Sequence, residues 1–295
     1  MATASTLAPA RASAANFRLL RRKFANVLMW VFAVLATALA IVPLVLVLYY
    51  VILRGGASLN LAFFTQVQTS GDEAGGGVSH AIVGSLMMVG LASCLGLPLG
   101  VLGGIYLAEF GNNRLGWVIR FAADVLNGVP SIVVGIFVYA VAVRPFHRYS
   151  ALAGGLALGI MMIPTIMRTT EELIRLVPMS LREASLALGD TRWHTVLRIV
   201  LHTARAGVIT GILLAIARIS GETAPLLFTA LGNDFMNHNI TKPTASLPVT
   251  IYNFSTSAEP KWIGQAWAAS LVLVALISIL SIAARYFTRG RYSVH

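Results

Sequence analysis

An arginine and a glutamate lie inside an otherwise apolar stretch of this sequence, and they are the residues best suited to bind a charged ligand. Arg218 and Glu222 are the only charged residues between Ala206 and Ala230. Ionisable residues within a membrane segment are costly and usually functional. A guanidinium offers a rigid fork of donors that matches the oxygens of an oxyanion. The four-residue spacing predicts that Glu222 shares a helix face with Arg218 and pairs with it, either to orient it between ligands or as a purely structural ion pair.

The elements that must position these two residues are long apolar stretches. The chain of 295 residues is 57% apolar and only 11% charged, whereas soluble domains contain about 25% charged residues. Five stretches without Asp, Glu, Lys or Arg are about long enough to cross roughly 30 Å of hydrocarbon as helices. They are Phe24–Leu53, Ala74–Ala108, Val125–Val143, Tyr149–Met167 and Trp262–Ala284. With the segment around Arg218 they predict an all-α membrane protein with six transmembrane helices.

The basic residues alternate between the loops of these predicted helices. If both termini are cytoplasmic, sixteen of the 22 Lys and Arg residues lie in the cytoplasm, five lie outside and Arg218 lies in a span. Because short basic loops stay on the cytoplasmic side, we expect this orientation. It divides the chain into a basic cytoplasmic tail (1–26) and a transmembrane domain (27–295). The net charge of +11 is therefore attributed to membrane orientation and not to nucleic-acid binding.

The fourth loop, residues 168–205 (loop four), carries the signals of two helices joined by a glycine turn. Ser180 and Glu183 are spaced as a capping box, which predicts a helix over 181–188. Gly189 can take the left-handed conformation that ends this helix. A short, partly apolar helix in a polar loop suits a groove on a partner protein, although it would equally suit the lipid headgroups.

Several kinds of chemistry find no support in the sequence. No Gly-x-x-x-x-Gly-Lys-Ser/Thr motif occurs, so the chain is not expected to hydrolyse ATP by that route, and any energy must come from a partner. Cys94 is the single cysteine and the six histidines are scattered. We therefore predict no catalytic residue, no metal site and no cofactor.

Loop four resembles the coupling-helix motif of ABC importer permeases. In that family the motif docks into a cleft of the cytoplasmic ATPase. The residues that carry the resemblance, and to which it assigns the coupling role, are Glu183, Ala184, Ser185 and Gly189, followed by Ile199–Leu201. Ser185 replaces an alanine of the family motif, and His202 replaces a proline.

The stretch from Ala217 to Ala230 is similar to the signature of the PstA family, the permeases of phosphate-specific ABC importers. Further similar stretches are 104–109, 124–135 and 247–252, so that the resemblance covers about residues 80–285. It implies the type I ABC importer permease fold. It also implies a phosphate pathway that includes Arg218 and Arg168, with Glu222 and Thr223 next to Arg218. By itself, Arg168 is a typical arginine at the end of a span.

The resemblance also implies partners and a location. The partners are a homologous permease (PstC-type), a cytoplasmic ATPase dimer (PstB-type) and an extracytoplasmic phosphate-binding protein (PstS-type). The location is the bacterial cytoplasmic (inner) membrane, with phosphate as the substrate. One alternative is an ABC permease for sulfate, molybdate or phosphonate, since Arg218 suits all these anions. Another is a self-contained secondary transporter or channel, which would not need a docking helix in loop four.

Overall fold

The computed structural model of the chain describes residues 8–70 and 75–289, and in this part the secondary structure consists of helices joined by turns and loops, without strands. Twelve α-helices are found in these ranges. They are α1 (Ala8–Ser58), α2 (Leu61–Thr65), α3 (Ser79–Glu109), α4 (Arg114–Gly128), α5 (Ser131–Val138), α6 (Ala151–Arg175), α7 (Met179–Ala187), α8 (Arg192–Thr195), α9 (Leu201–Ser220), α10 (Ala224–Thr229), α11 (Leu247–Ser255) and α12 (Pro260–Arg289). Two π-helical turns, Tyr139–Val143 and Val196–Val200, extend α5 and join α8 to α9.

The number of transmembrane elements agrees with the sequence prediction. Within the described residues, five helices are long and apolar enough to cross a membrane, and one bent pair makes a sixth candidate. The second of these, α3, begins at Ser79, inside the apolar stretch Ala74–Ala108 that predicted it. The prediction of an all-α membrane protein is therefore confirmed.

The third span is not the single straight helix that was predicted over residues 125–143. It consists of α4 and α5, and the direction of the chain bends by 104° from the first helix to the second. Pro130 lies in the break and Val129, before it, is extended with φ −70° and ψ 131°. The ring of Pro130 disfavours a helical conformation at the preceding residue, and it cannot donate the backbone hydrogen bond that a continuous helix needs.

The fifth span also departs from the prediction, which had one helix continuing to Ala230. Helix α9 ends at Ser220, and the short α10 starts only at Ala224. Pro225 explains the break, because it has no N–H for the carbonyl of Gly221 and its ring would clash with that carbonyl in a continuous helix.

The chain divides after Leu53 into two compact units. The described part of the first is the helix α1 up to that residue. In the second, α3 and α6 run parallel in close contact. A Cβ atom added to Gly96, Gly100 or Gly104 of α3 would lie 2.6–3.0 Å from a side-chain atom of α6. Small residues spaced by four allow two membrane helices to approach this closely.

A buried apolar cluster joins α3, α6, α9 and α10. It includes Leu158 and Met162 of α6 together with Ile219 of α9. Leu158 and Met162 lie about 11 and 17 Å along α6 from its first residue, at 1.5 Å per residue. The end of α9 therefore lies near the middle of the bundle's depth, which sets the position of the candidate site.

Candidate functional site

Arg218 lies in the last turn of α9, next to buried Ile219, but its own side chain is exposed. The Arg218 side chain forms no hydrogen bond and no ion pair with any residue that the structure describes. Because Ile219 lies near the middle of the bundle's depth, the guanidinium of Arg218 lies at that depth too, without a partner within the second unit. An unpaired guanidinium at such a depth requires a neighbouring chain, water or an anion to neutralise it.

Glu222 does not pair with Arg218, and the predicted shared helix face is wrong. The helix ends two residues before Glu222, whose backbone N–H bonds to the carbonyl of Ile219 at 3.2 Å. Thr223 follows at the N-cap of α10 without a side-chain capping bond. Both side chains are half-exposed. The break therefore leaves a carboxylate and a hydroxyl next to the arginine in sequence, without bonds to it.

Arg168, the second arginine of the predicted pathway, is fully engaged in ion pairs. Its Nε lies 2.9 Å from Asp124 Oδ1 on α4, and its Nη1 lies 2.7 Å from Glu171 Oε2 on its own helix α6. The side chain is 28% exposed. Arg168 thus bridges two helices, in contrast with Arg218.

Glu171 is the centre of this network, and sequence reasoning missed it. Its side chain is only 1% exposed, and its Oε1 lies 2.6 Å from Arg120 Nε and 2.8 Å from Arg175 Nη2. Arg120 also donates to the carbonyls of Leu107 (2.7 Å) and Gly111 (3.0 Å). A buried carboxylate is stable only when it is paired and hydrogen-bonded. Three guanidinium groups provide this and tie α4 to α6 and the end of α3.

The two arginines of the predicted pathway lie at different depths of the bundle. A Cβ atom added to Gly211 of α9 would lie 2.5 Å from the side chain of Thr169, the neighbour of Arg168 on α6. Arg218 follows Gly211 by seven residues, which corresponds to about 10 Å along the helix. The structure thus separates Arg218 from Arg168 along the axis and does not bring them into one site.

The first helix of loop four forms, although the predicted capping box does not. Helix α7 begins at Met179 with Pro178 at the N-cap, and no side chain caps it. Ser180 lies within the first turn. Because the fixed φ of Pro178 sets the helix start two residues early, Ser180 and Glu183 are out of register for the box.

The turn that ends α7 agrees with the prediction for Gly189, whose φ is +93°. Its N–H bonds to the carbonyl of Leu186 at 3.0 Å, and that of Asp190 bonds to the carbonyl of Ser185 at 3.3 Å. These two bonds form a Schellman motif. The conformation of the turn is therefore fixed by the backbone of the predicted coupling residues themselves.

Side chains close the same turn from inside. Ser185 is buried, with its hydroxyl 2.9 Å from Asp190 Oδ2 and 2.9 Å from Thr195 Oγ1. Asp190 Oδ1 lies 2.9 Å from His194 Nδ1. The bonds from His194 and then Ser185 hold the pKa of the Asp190 carboxyl below its usual value. Ser185 thus stabilises the turn of loop four from inside and is not a surface residue.

The outer surface of loop four is largely apolar. Glu183 and Ala184 are exposed, as a docking element requires. The large apolar side chains exposed around them are Leu176, Met179, Leu181, Leu186, Leu188 and Trp193. An apolar surface of this kind, rimmed by charges, is typical of a protein or membrane contact.

Arg182 fastens this element to the bundle. Its Nη2 lies 2.8 Å from Glu109 Oε1 at the end of α3, and it also donates to the carbonyls of Ile174 and Val177. The two charged side chains are only 13% and 10% exposed. They line a cavity of about 660 Å³ under α7, which Arg175 also lines. This ion pair links α7 directly to the end of α3.

The residues that sequence reasoning missed differ in how strongly the sequence indicates their contacts. Glu171 follows Arg168 by three residues and precedes Arg175 by four, so this part of the network had a local signal. Arg182 and Glu109 are 73 residues apart, and nothing in a single sequence indicates that they meet.

Comparison with known proteins gives a consistent result. Residues 100–291 match the family described as "Binding-protein-dependent transport system inner membrane component". The chain is 45% identical over 243 residues to the phosphate transport system permease protein PstA of Yersinia pestis, covering 82% of each chain. It is 43% identical to PstA of Pasteurella multocida, covering 90% of this chain and 95% of that one. It is also 38% identical to PstA 1 of Mycobacterium tuberculosis over 270 residues, covering 90% of this chain.

Solved structures support the fold. The inward-facing MetNI methionine ABC transporter superposes with a TM-score of 0.58 at 18% identity, over 72% of this chain and 93% of that one. An amino acid ABC transporter gives a TM-score of 0.53 at 16% identity. At these identities the likeness concerns the fold, the type I ABC importer permease fold. The chain therefore belongs to the family of inner membrane components of binding-protein-dependent transport systems, and within it to the PstA permeases.

Proposed function

We propose that this chain is a permease subunit of an ATP-driven importer of inorganic phosphate. The observation that carries the proposal is Arg218, an exposed guanidinium near mid-depth of the bundle without a bond to any described residue. In a complete importer this side chain faces the pathway between the two permeases, and phosphate supplies the missing acceptors. The relatives, named phosphate transport system permease proteins, support phosphate over another oxyanion.

The second element of the proposed pathway is the Arg168 network. Arg168 is held in place by Asp124 and Glu171 and lies about 10 Å along the axis from Arg218. We expect phosphate to meet Arg218 first and the Arg168 level later, on the way to the cytoplasm. Glu222 limits the positive potential around Arg218, because a site that binds an anion too tightly does not release it, and the hydroxyl of Thr223 offers a hydrogen bond to the passing anion.

The energy is proposed to come from a PstB-type ATPase dimer on the cytoplasmic side. Glu183, Ala184 and the apolar surface of α7 dock into the ATPase, while Ser185 and Gly189 keep the turn in shape. Arg182 passes the movement of α7 to α3 through Glu109. The other partners are a PstC-type permease and a PstS-type phosphate-binding protein. The complex resides in the bacterial cytoplasmic (inner) membrane, with both termini of this chain in the cytoplasm.

The test is transport by the assembled complex in liposomes with ATP enclosed. We expect loaded binding protein to drive accumulation of labelled phosphate that depends on ATP. Sulfate, molybdate or a phosphonate in tenfold excess is expected to leave the rate unchanged. Equal or faster accumulation of one of these anions would contradict phosphate as the substrate. Accumulation by this chain alone, without ATPase, would contradict the subunit role.

A further inference from the structure

A second cavity lies at the end of the bundle opposite loop four. Its volume is about 360 Å³, and it is bounded by the start of α3, the segment after α10, and the helices α11 and α12. Helix α3 runs parallel to α6, and the end of α6 leads into loop four. The start of α3 therefore lies at the opposite end of the bundle. Its polar lining includes Gln68, His80, Asp234, Thr250 and Asn253.

His80 is the most unusual residue of this cavity. The side chain is 3% exposed, and its Nδ1 is fully buried without a hydrogen-bond partner among the described residues. Buried polar atoms without partners are rare because their desolvation is not compensated. This nitrogen is closed off from the cavity as well, so that His80 forms part of the cavity wall without binding a ligand through Nδ1.

The charge of the cavity selects the kind of ligand. Asp234 is the only Asp, Glu, Lys or Arg among the described residues that line the cavity, and its exposed carboxylate forms no ion pair in the described part of the chain. An oxyanion would be repelled by this carboxylate, whereas a cation would be attracted. Gln68, Thr250 and Asn253 add side-chain oxygens that no described residue uses.

An aromatic wall also favours a cation. The rings of Phe254 and Trp262, which both line the cavity, stack at 5.6 Å with an interplanar angle of 12°. The indole N–H of Trp262 donates to the carbonyl of Thr69 at 3.2 Å, so the ring is held in place. The face of an indole attracts a guanidinium or ammonium group.

We propose that this cavity receives a lysine or arginine side chain of the protein that docks on this end of the bundle. The carboxylate of Asp234 binds the cationic head, the side-chain oxygens of Gln68, Thr250 and Asn253 accept further hydrogen bonds from it, and the aromatic wall covers its stem. A volume of about 360 Å³ suits one side chain and not a larger segment. The inference rests on the proposed function only for the identity of the partner, the phosphate-binding protein.

The first experiment measures docking of the purified, phosphate-loaded binding protein to the full importer in nanodiscs. Asp234→Asn is expected to raise the Kd at least tenfold, and Asn253→Ala several-fold. The control is Glu259→Gln, which removes a carboxylate before α12 that does not line the cavity. We expect no change for this control. Equal weakening by Glu259→Gln, or no weakening by Asp234→Asn, would overturn the proposal.

The second experiment uses methylguanidinium as a probe and distinguishes a partner's side chain from a free cation. It is expected to raise the melting temperature of the wild-type importer but not of Asp234→Asn, and to compete with docking. If methylguanidinium raises the melting temperature but does not compete with docking, the cavity binds a free cation and the proposal is overturned. If inorganic phosphate raises the melting temperature in an Asp234-dependent way instead, the cavity binds an anion and the proposal is also overturned. If the Asp234→Asn importer transports phosphate and docks the binding protein with the wild-type Kd, only this inference is refuted and the proposed function stands.

Discussion

Arg168 and Glu171 form an ion pair of 2.7 Å within one turn of α6, and the same buried carboxylate also binds Arg120 and Arg175. One of the two arginines proposed for the pathway is therefore held by the protein, while the other, Arg218, is not. This difference explains how two similar side chains can serve different purposes. Arg168 keeps α4 and α6 together, and Arg218 remains available to a ligand.

The first prediction concerns Glu171→Gln. The substitution leaves three guanidinium groups around a neutral amide. Removing one partner of a buried ion pair lowers the free energy of unfolding by about 3–5 kcal/mol. We expect a loss at the lower end of this range, because the arginines are partly exposed. The measurement is the thermal unfolding of the purified complex. Glu172→Gln, one residue further and exposed, is the control, and equal effects of the two would contradict the central position of Glu171.

The second prediction concerns the pair of Arg182 and Glu109. Arg182→Gln and Glu109→Gln each remove one charge from a nearly buried contact between α7 and α3. In a double-mutant cycle we expect a coupling energy of about 1.5–3 kcal/mol, typical of hydrogen bonds to charged groups. The observable is hydrogen exchange of the α7 amides. Arg198→Gln is the control, since this exposed arginine of loop four forms no ion pair with a described residue. Additive effects would show that the contact does not hold α7.

The third prediction concerns Ser185→Ala, which restores the alanine of the family motif. The substitution removes the bonds to Asp190 and Thr195, and we expect a loss of about 1 kcal/mol in the opening free energy of the turn, measured by hydrogen exchange. Ser180→Ala is the control: it is exposed in the first turn of α7 and should have no effect. A larger loss for Ser180→Ala would indicate that the capping box forms after all.

The turn should also depend on pH through Asp190. Its folded-state pKa is lowered below the ordinary 3.8 by the bonds from His194 and Ser185. A lowered pKa means that the contribution of Asp190 is complete above pH 3.8 and is lost as the pH falls through the folded-state value. Asp190→Asn should therefore open the turn at neutral pH and remove this dependence. A wild-type turn that already opens well above pH 3.8 would argue against this contribution.

The fourth prediction concerns the contact of α3 with α6. A Cβ atom on Gly100 would lie 2.7 Å from Cβ of Ile166, so Gly100→Ala forces the helices apart. We expect a loss of about 1–3 kcal/mol, as for other overpacked sites. Gly90→Ala on the same helix meets nothing within 4 Å and should be neutral or slightly stabilising. The comparison is made by thermal unfolding, and equal melting temperatures of the two variants would contradict the close approach.

The sequence was sufficient for the parts of the fold that depend on composition and local spacing. Apolar runs predicted the transmembrane elements, and Gly189 predicted the turn of loop four. The errors occurred at prolines: Pro130 and Pro225 break helices that an uninterrupted apolar run had joined, and Pro178 shifts the start of α7. The contact of Arg182 with Glu109 depends on the tertiary fold and has no local signal.

Arg218 shows the same limit in another form. A spacing of four residues predicted its ion pair with Glu222, but that rule holds only inside a continuous helix. The helix ends at Ser220, and the pair is lost with it. The unpaired guanidinium is the feature that most favours a pathway role, and the sequence alone had assigned it a partner.

The most direct test of the account is the initial rate of phosphate uptake by liposomes that contain the complete importer with Arg218→Ala. Because the Arg218 side chain bonds to no described residue, the variant should assemble and melt like the wild type. We expect its uptake rate to fall at least about tenfold, as the loss of one charged hydrogen bond of 1.5 kcal/mol or more implies. Arg198→Ala, the control, should retain the wild-type rate. A normal uptake rate in a fully assembled Arg218→Ala importer would contradict the role of Arg218 in the pathway.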